Sequence, residues 1–254
     1  MIIQDLIVVL SLAFIAGFTD AVVGGGGLIQ LPALILFMPQ YAIPSLMGTN
    51  KFSGFSGTVV ATIKYMKLVK INYQLLLPGI ITAVLSSMLG AWLITFLSNN
   101  MIKPIIFGLL VLVFIYTLVK KELGQYETKK VLSSNSYFYS ALVGLILGFY
   151  DGFFGPGTGS FLILVFITLF GMEFLMASAH AKIINIATNI SALIYFVISG
   201  NIIYKIAIPL AISNMLGSYL GAKMAFKKGN KFIRRFYLLI VFLLIFKFVY
   251  DWAK

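Results

Sequence analysis

The sequence is poor in the residues on which metalloenzymes and disulfide-stabilised domains depend. Among its 254 residues there are no cysteines, one histidine and seven acidic residues. The lack of cysteine excludes disulfides, iron–sulfur clusters and thiol catalysis, and a single histidine leaves no conventional zinc site. No G-x-x-x-x-G-K-[ST] segment occurs, so the chain does not encode an ATP-driven pump. We therefore expect no enzyme activity, no cofactor and no metal.

Charged residues are also scarce. They make up 10% of the chain, against roughly 25% in a soluble domain, and the mean hydropathy is +1.03. A soluble fold could not bury this much apolar surface, whereas a lipid-facing exterior does not need to. Because one crossing takes about 20 apolar residues, the length allows roughly eight to ten membrane helices. The composition predicts an all-α, multi-pass membrane protein in contact with the lipid bilayer.

The net charge of +12 does not indicate a nucleic-acid partner, because most of the basic residues lie in short stretches between apolar segments. Thirteen of the 19 lysines and arginines lie in three short stretches at 64–70, 120–130 and 223–235. Cytoplasmic loops of membrane proteins have this pattern, whereas a nucleic-acid binder presents a basic stripe on a polar domain. The apolar N-terminus lacks a basic region and is typical of a first span rather than a cleaved signal peptide.

The apolar stretches form two sets of five. They are 3–23, 27–39, 45–66, 73–97 and 101–119, followed by 135–154, 158–170, 175–199, 204–226 and 232–252. Sliding the chain by 131 positions places GFTDAVVGGGG (17–27) on GFYDGFFGPGT (148–158) without a gap. The same shift places Lys51 on Lys182. An ungapped register that preserves an aspartate and a lysine indicates an internal duplication.

The duplication defines the domain organisation. We assign residues 1–122 to a first transmembrane repeat, 123–134 to a cytoplasmic linker, and 135–254 to a second repeat of one integral membrane domain. The second segment of each repeat is short. At 1.5 Å per residue it reaches roughly 20 Å, too little for a hydrocarbon core of about 30 Å. We expect a broken or re-entrant helix at this place in both halves.

The basic residues indicate how the copies are oriented. The loop after the third segment carries three lysines in the first half but only Lys205 in the second. The loop after the fourth segment carries only Lys103 in the first half but six basic residues in the second. The cytoplasmic bias therefore moves to the opposite loops, which predicts inverted repeats with both termini outside. Inverted repeats are typical of secondary transporters, whose sites lie at the repeat interface.

A doubled motif, G-F-x-D-x-x-x-G-x-G, occurs at 17–26 and 148–157. Its glycines allow a helix to break, and Pro156 removes a backbone donor in the second copy. The N-terminus of the helix that begins after such a break would attract an anion. Tight helix packing is the alternative role for such glycines.

Two lysines lie inside apolar segments, in G-T-N-K at 48–51 and A-H-A-K at 179–182. Intramembrane charges usually serve function, although a lysine at this depth could also snorkel to the interface. Lys182 shares a helix face with Asn185 and Asn189, as expected for positions three and seven residues apart. The paired placement favours an anion site between the two copies.

The acidic pair Asp20 and Asp151 leaves three roles open. These aspartates could be counter-ions to the lysines, proton carriers, or caps of the broken helices. His180 stands where the first copy has Thr49. A single histidine of this kind is either a hydrogen-bonded interior residue or a proton relay.

The doubled glycine motif, followed by GTNKFSGFSGT and AHAKIINIATN, resembles the sulfite exporter TauE/SafE family over roughly residues 5–250. The resemblance implies a plasma-membrane permease for sulfite, sulfonates or related organosulfur anions. The positions that match the family's signature segments are Gly24, Gly25, Gly26, Gly27, Thr49, Asn50 and Lys51, and then Gly155, Gly157, Thr158, Gly159, His180 and Lys182. The G-T-N pattern is absent from the second half, so the halves should contribute unequally to the site.

These observations predict a secondary transporter, an exporter of a small sulfur-containing anion, that works by alternating access. Lys51, Lys182 and the amides of Asn50, Asn185 and Asn189 would bind the substrate. One alternative is a transporter of a cation or a neutral solute that uses Asp20 and Asp151. A second is a non-transporting accessory or scaffold protein. Proton or ion coupling and homo-oligomer formation are left open.

Overall fold

The computed structural model describes residues 3–96 and 134–228, together with the single positions 108 and 246. The described part of the chain contains eight helices: α1 (Ile3–Val23), α2 (Gly27–Phe37), α3 (Ile43–Met66), α4 (Tyr73–Ile94), α5 (Ser134–Phe153), α6 (Thr158–Phe170), α7 (Phe174–Ile198) and α8 (Tyr204–Lys228). The prediction of an all-α protein is confirmed. The fifth segment predicted in each half lies outside the described residues, apart from positions 108 and 246, as does nearly all of the predicted linker.

Helix length and surface both indicate a membrane protein. Within the described residues, three stretches are long and apolar enough to cross a bilayer: Asp5–Val23, Tyr73–Ile94 and Phe174–Ile198. Large apolar side chains also recur every four positions on the exposed faces of α4 and α8, namely Leu77, Ile81, Leu85 and Leu89, and Ile208, Ile212 and Leu216. Leu85 is 68% exposed and Leu216 is 59% exposed. Apolar stripes of this kind are suited to hydrocarbon rather than to water.

Glycine conformations separate α1 from α2 and α5 from α6. Gly24 has φ 72°, Gly155 has φ 90° and Gly157 has φ 86°. This left-handed region carries a steric penalty for residues with a Cβ, so glycine is needed at these breaks. The helices that follow have only 11 and 13 residues, which at 1.5 Å per residue is about 16 to 20 Å. Each half thus has the predicted short second segment.

The principal interfaces pair helices from opposite halves of the chain. α1 packs along α8, and α4 packs along α5; α3 also contacts α8, and α4 contacts α7. Glycines allow the close approach. A Cβ at Gly17 would overlap the carbonyl of Asn214, and a Cβ at Gly148 would overlap the backbone of Ala83. Small residues at such contacts let membrane helices gain packing and interhelical hydrogen bonds.

The short helices lie largely inside the bundle, although Leu169 near the end of α6 is exposed. In α2, every residue from Leu28 to Ile35 is buried, and in α6 Leu162 and Phe166 are fully buried. Helices that are apolar on all sides are expected at such interior positions. α3 and α7 contact each other and also contact α2 and α6, respectively. These contacts place α2 and α6 beside the two helices that carry the intramembrane lysines.

Candidate functional site

The two helix breaks meet each other. The backbone N–H of Ser160 donates to the carbonyl of Gly24 at 3.1 Å, and its hydroxyl donates to the carbonyl of Val23 at 2.6 Å. A Cβ at either Gly24 or Gly159 would overlap the backbone of the other residue. The start of α6 is therefore joined to the end of α1, and the doubled glycine motifs form one structural unit.

A buried ion pair lies next to this unit. The Nζ of Lys51, on α3, is 2.6 Å from Oδ2 of Asp151, on α5. Their side chains are only 5% and 3% exposed. Removing two charges from water is costly unless they pair closely, and this short contact offsets part of that cost. The lysine of the first half thus pairs with the aspartate of the second half.

The second lysine–aspartate pair is looser. The Nζ of Lys182 is 4.0 Å from Oδ2 of Asp20 and donates to the main-chain carbonyl of Asp20 at 2.8 Å. It also lies 5.3 Å from the centre of the Tyr65 ring. The Asp20 carboxylate accepts from the Thr58 hydroxyl at 3.1 Å and from the Gly26 N–H at 3.4 Å. Lys182 is therefore held mainly by the main chain near the end of α1 and by the Tyr65 ring of α3.

A small cavity of about 40 Å³ lies between these elements. Its lining residues are Asp20, Gly24, Gly26, Gly27, Gln30, Asn50, Lys51, Gly54, Thr58, Asp151, Gly155, Gly157, Gly159, Asn185, Asn189 and Asn214. Ammonium, carboxylate and amide groups therefore converge on a space near the first turns of two helices. The helix N-termini place the positive ends of their dipoles at this space, and the Gly26 N–H there donates to the Asp20 carboxylate at 3.4 Å.

Twelve residues predicted from the sequence line this cavity: Asp20, Gly24, Gly26, Gly27, Asn50, Lys51, Asp151, Gly155, Gly157, Gly159, Asn185 and Asn189. Five predicted residues are outside the lining: Gly25, Thr49, Thr158, His180 and Lys182. The Thr158 hydroxyl instead donates to the carbonyl of Gly155 at 2.7 Å, within the break. The Nδ2 of Asn189 donates to Oδ1 of Asn185.

Thr49 and His180 make equivalent contacts away from the cavity. The Thr49 hydroxyl donates to the carbonyl of Ser45 at 2.7 Å and accepts from the N–H of Ile203 at 3.0 Å. In the other half, Nδ1 of His180 lies 2.8 Å from the carbonyl of Met176, and Nε2 lies 3.1 Å from the N–H of Asn72. The second contact requires Nε2 to accept, so the proton is on Nδ1. Thr49 thus joins α3 to the segment before α8, and His180 joins α7 to the segment before α4.

Two lining residues, Gln30 and Asn214, are not among the predicted ones. Gln30 is the single polar side chain of α2, and Asn214 is a buried amide in the middle of α8. An isolated amide inside an apolar segment is costly to bury without a partner. This feature of the sequence could have marked Gln30 and Asn214 as candidate site residues. Gly54 and Thr58 also line the cavity; both belong to a stripe of small and polar residues on α3.

A family model described as Sulfite exporter TauE/SafE matches residues 9–248. The chain belongs to this family. We therefore interpret the short α2 and α6, the doubled glycine breaks and the central lysines within the TauE/SafE family. No solved structure matches the chain.

Relatives support the same assignment. The chain is 35% identical over 198 residues to "Probable membrane transporter protein ORF9" of Sinorhizobium sp, covering 77% of this chain and 74% of the relative. It is 36% identical over 203 residues to a "Probable membrane transporter protein" of Haemophilus influenzae, covering 80% and 78%. It is 34% identical over 199 residues to "Probable membrane transporter protein YfcA" of Escherichia coli K12, covering 78% and 72%.

The chain is therefore a membrane transporter and not an enzyme. The names of these relatives state no substrate. The described residues contain no group of three or more histidine, cysteine or acidic side chains that could hold a metal ion.

Proposed function

We propose that this transporter carries a small anion, namely sulfite, a sulfonate or a related organosulfur compound, out of the cell across the plasma membrane. The observation that carries the proposal is the buried ammonium of Lys51 in a cavity lined by five amide side chains, those of Gln30, Asn50, Asn185, Asn189 and Asn214. The family description, Sulfite exporter TauE/SafE, supports both the substrate class and the direction. Lys51 is the anchor rather than Lys182, because only Lys51 lines the cavity.

Substrate binding would compete with the Lys51–Asp151 ion pair. Both head groups line the cavity, and the Lys51 ammonium already pairs with the Asp151 carboxylate at 2.6 Å. An oxyanion needs a positive partner. Displacing the Asp151 carboxylate from Lys51 would supply this partner and enlarge the cavity. The ion pair would thus close the empty site and would break when the substrate enters.

Charge balance favours coupling to a proton. In their ionised forms, Lys51, Lys182, Asp20 and Asp151 sum to zero charge. A monovalent anion that enters would leave this buried group with one net negative charge, which is costly at low dielectric. Protonation of the displaced Asp151 would restore neutrality, so that the anion and a proton leave the cell together, driven by the concentration gradient of the anion. We therefore assign Asp151 the coupling role and Asp20 the role of counter-ion to Lys182.

Inverted repeats would supply the conformational change. Helix contacts support this arrangement, since α1 packs along α8 as α4 packs along α5, and Thr49 and His180 make matching hydrogen bonds. Alternating access would then rock one half against the other around the cavity, as in other transporters built from inverted repeats. Both termini would lie outside, with the basic loops in the cytoplasm.

Transport by purified protein in proteoliposomes tests the proposal. We expect saturable sulfite flux that depends on the pH gradient and that is lost in Lys51→Ala. Lys67→Ala, which removes an exposed lysine beyond the C-terminal end of the same helix, is the matched control and should transport normally. Flux that survives Lys51→Ala would refute the anion site.

Other outcomes would identify the alternatives. Loss of transport in Asp20→Asn and Asp151→Asn, with Lys51 dispensable, would indicate a cation or neutral solute. An absence of flux for every solute, together with a stoichiometric partner on purification, would indicate an accessory protein.

A further inference from the structure

Gln30 occupies an unusual position in α2. The helix has the sequence GLIQLPALILF, in which glutamine is the single polar side chain, and Gln30 is 1% exposed. An amide buried in an apolar helix is unfavourable unless its donor and acceptor atoms find partners. The two ends of the Gln30 amide differ sharply in this respect.

The carbonyl end of the Gln30 amide is fully engaged. Its Oε1 accepts from Nδ2 of Asn214 at 2.7 Å and from the hydroxyl of Ser53 at 3.3 Å. The Ser218 hydroxyl donates to the carbonyl of Gly17 at 3.0 Å and lies 3.4 Å from Oδ1 of Asn214. Residues of α3 and α8 thus hold the carbonyl end of the Gln30 amide.

The nitrogen end has no protein partner. Nε2 of Gln30 is buried and makes no hydrogen bond among the described residues. Gln30 lines the cavity together with Lys51 and Asn50. A buried donor without a partner is costly, so its retention beside a cavity suggests that a ligand completes it.

The Gln30 network is present in only one half of the chain. At the positions 131 residues away, Gln30 is matched by Phe161, Ser53 by Ile184, and Asn214 by Ala83. The paired lysines and aspartates and the glycine breaks occur in both halves, whereas this amide cluster does not. A substrate that is itself asymmetric would require hydrogen-bond donors in one half only, although the rest of the scaffold is repeated in both halves.

We infer that Nε2 of Gln30 donates a hydrogen bond to an oxygen of the transported anion while Lys51 binds its charge. This inference rests on the proposed anion transport and adds a residue that determines which oxyanion is accepted. The donor recognises an acceptor oxygen directly, and Asn214 and Ser53 act as positioning residues for it.

Calorimetric titration of the purified protein with sulfite, sulfate and methanesulfonate tests the role of Gln30. Gln30→Leu removes the donor and should weaken binding of the best probe by on the order of ten- to a hundredfold, as expected for a hydrogen bond to a charged group. Gln30→Glu keeps an acceptor for Asn214 and Ser53 but presents a negative oxygen to the cavity. It should weaken binding of the dianion sulfate more than binding of the monoanion methanesulfonate.

The control is Gln74→Glu, which makes the same change at an exposed position on α4 and should leave all affinities unchanged. The melting temperature without ligand verifies that each variant is folded, and Gln30→Glu remains informative if Gln30→Leu does not fold. Unchanged affinities in folded Gln30→Glu, with binding lost in Lys51→Ala, would refute the role of Gln30 and leave the proposed function intact. No binding of any probe to the wild-type protein would overturn both.

Discussion

Lys51 and Asp151 form an ion pair of 2.6 Å although 100 residues separate them in the chain. Lys51 belongs to the first half and Asp151 to the second. The matching lysine and aspartate, Lys182 and Asp20, also approach each other across the two halves. Each half therefore neutralises a charge of the other, and a change at one pair alters the contact between the halves.

Breaking the closer pair should destabilise the protein. Asp151→Asn leaves the ammonium of Lys51 buried without its counter-charge, which costs about 3–5 kcal/mol in comparable buried pairs. We expect a clear fall in the melting temperature of the detergent-solubilised protein. Replacing both residues by apolar ones, in Lys51→Met with Asp151→Leu, should recover most of this loss. A melting temperature of Asp151→Asn equal to that of the wild type would contradict the structural role of the pair.

His180 should contribute to stability as a hydrogen-bond acceptor. Because its Nε2 accepts from the N–H of Asn72, His180→Ala leaves that group without a partner and should cost about 1 kcal/mol. His180→Gln retains an acceptor and should cost less. Thermal unfolding of both variants provides the measurement. Equal losses in the two variants would show that the imidazole acts through packing alone.

Gly24 should tolerate no side chain. Its φ of 72° is unfavourable for alanine by roughly 1–2 kcal/mol, and a Cβ would also overlap the backbone of Gly159. Gly54→Ala is the control, because a Cβ there meets no atom within 4 Å. We expect Gly24→Ala to lose well over 2 kcal/mol and Gly54→Ala to lose none. A mild effect at Gly24, close to that at Gly54, would argue against the tight contact between the breaks.

Inverted repeats predict opposite membrane sides for two equivalent loops. The chain has no native cysteine, so Lys67→Cys after α3 and Ser199→Cys after α7 each introduce one thiol. A membrane-impermeant maleimide should label Ser199→Cys in intact cells and Lys67→Cys only after permeabilisation. Labelling of both from the same side would contradict the inverted arrangement.

Much of the fold could be predicted from the sequence. The predicted and observed bounds of the described helices agree to within about three residues, because a membrane helix must be apolar throughout and glycine, proline and charge mark its ends. The short α2 and α6 were also evident, since their apolar runs are too short to span hydrocarbon.

The arrangement of the site was harder to predict from the sequence. Sequence patterns place Lys51 and Asp20 in the same half, yet Lys51 pairs with Asp151, because packing between halves decides which charges meet. Thr49 and His180 occupy signature positions but join helices instead of lining the cavity. Gln30 belongs to no doubled motif; it is marked in the sequence as an isolated amide in α2, but its contacts with Asn214 and Ser53 are visible only in the structure.

The measurement that tests the central claim most directly is the thermal stability of the purified protein with sulfite, with chloride as the control. At a concentration one hundred times Kd, a specific ligand raises the free energy of unfolding by about 2.7 kcal/mol. We predict such stabilisation for the wild type, its loss in Lys51→Ala, and its retention in Lys182→Ala, whose baseline stability is lower. Undiminished stabilisation of Lys51→Ala by sulfite, or none by any sulfur oxyanion in folded wild-type protein, would contradict a substrate site built on Lys51.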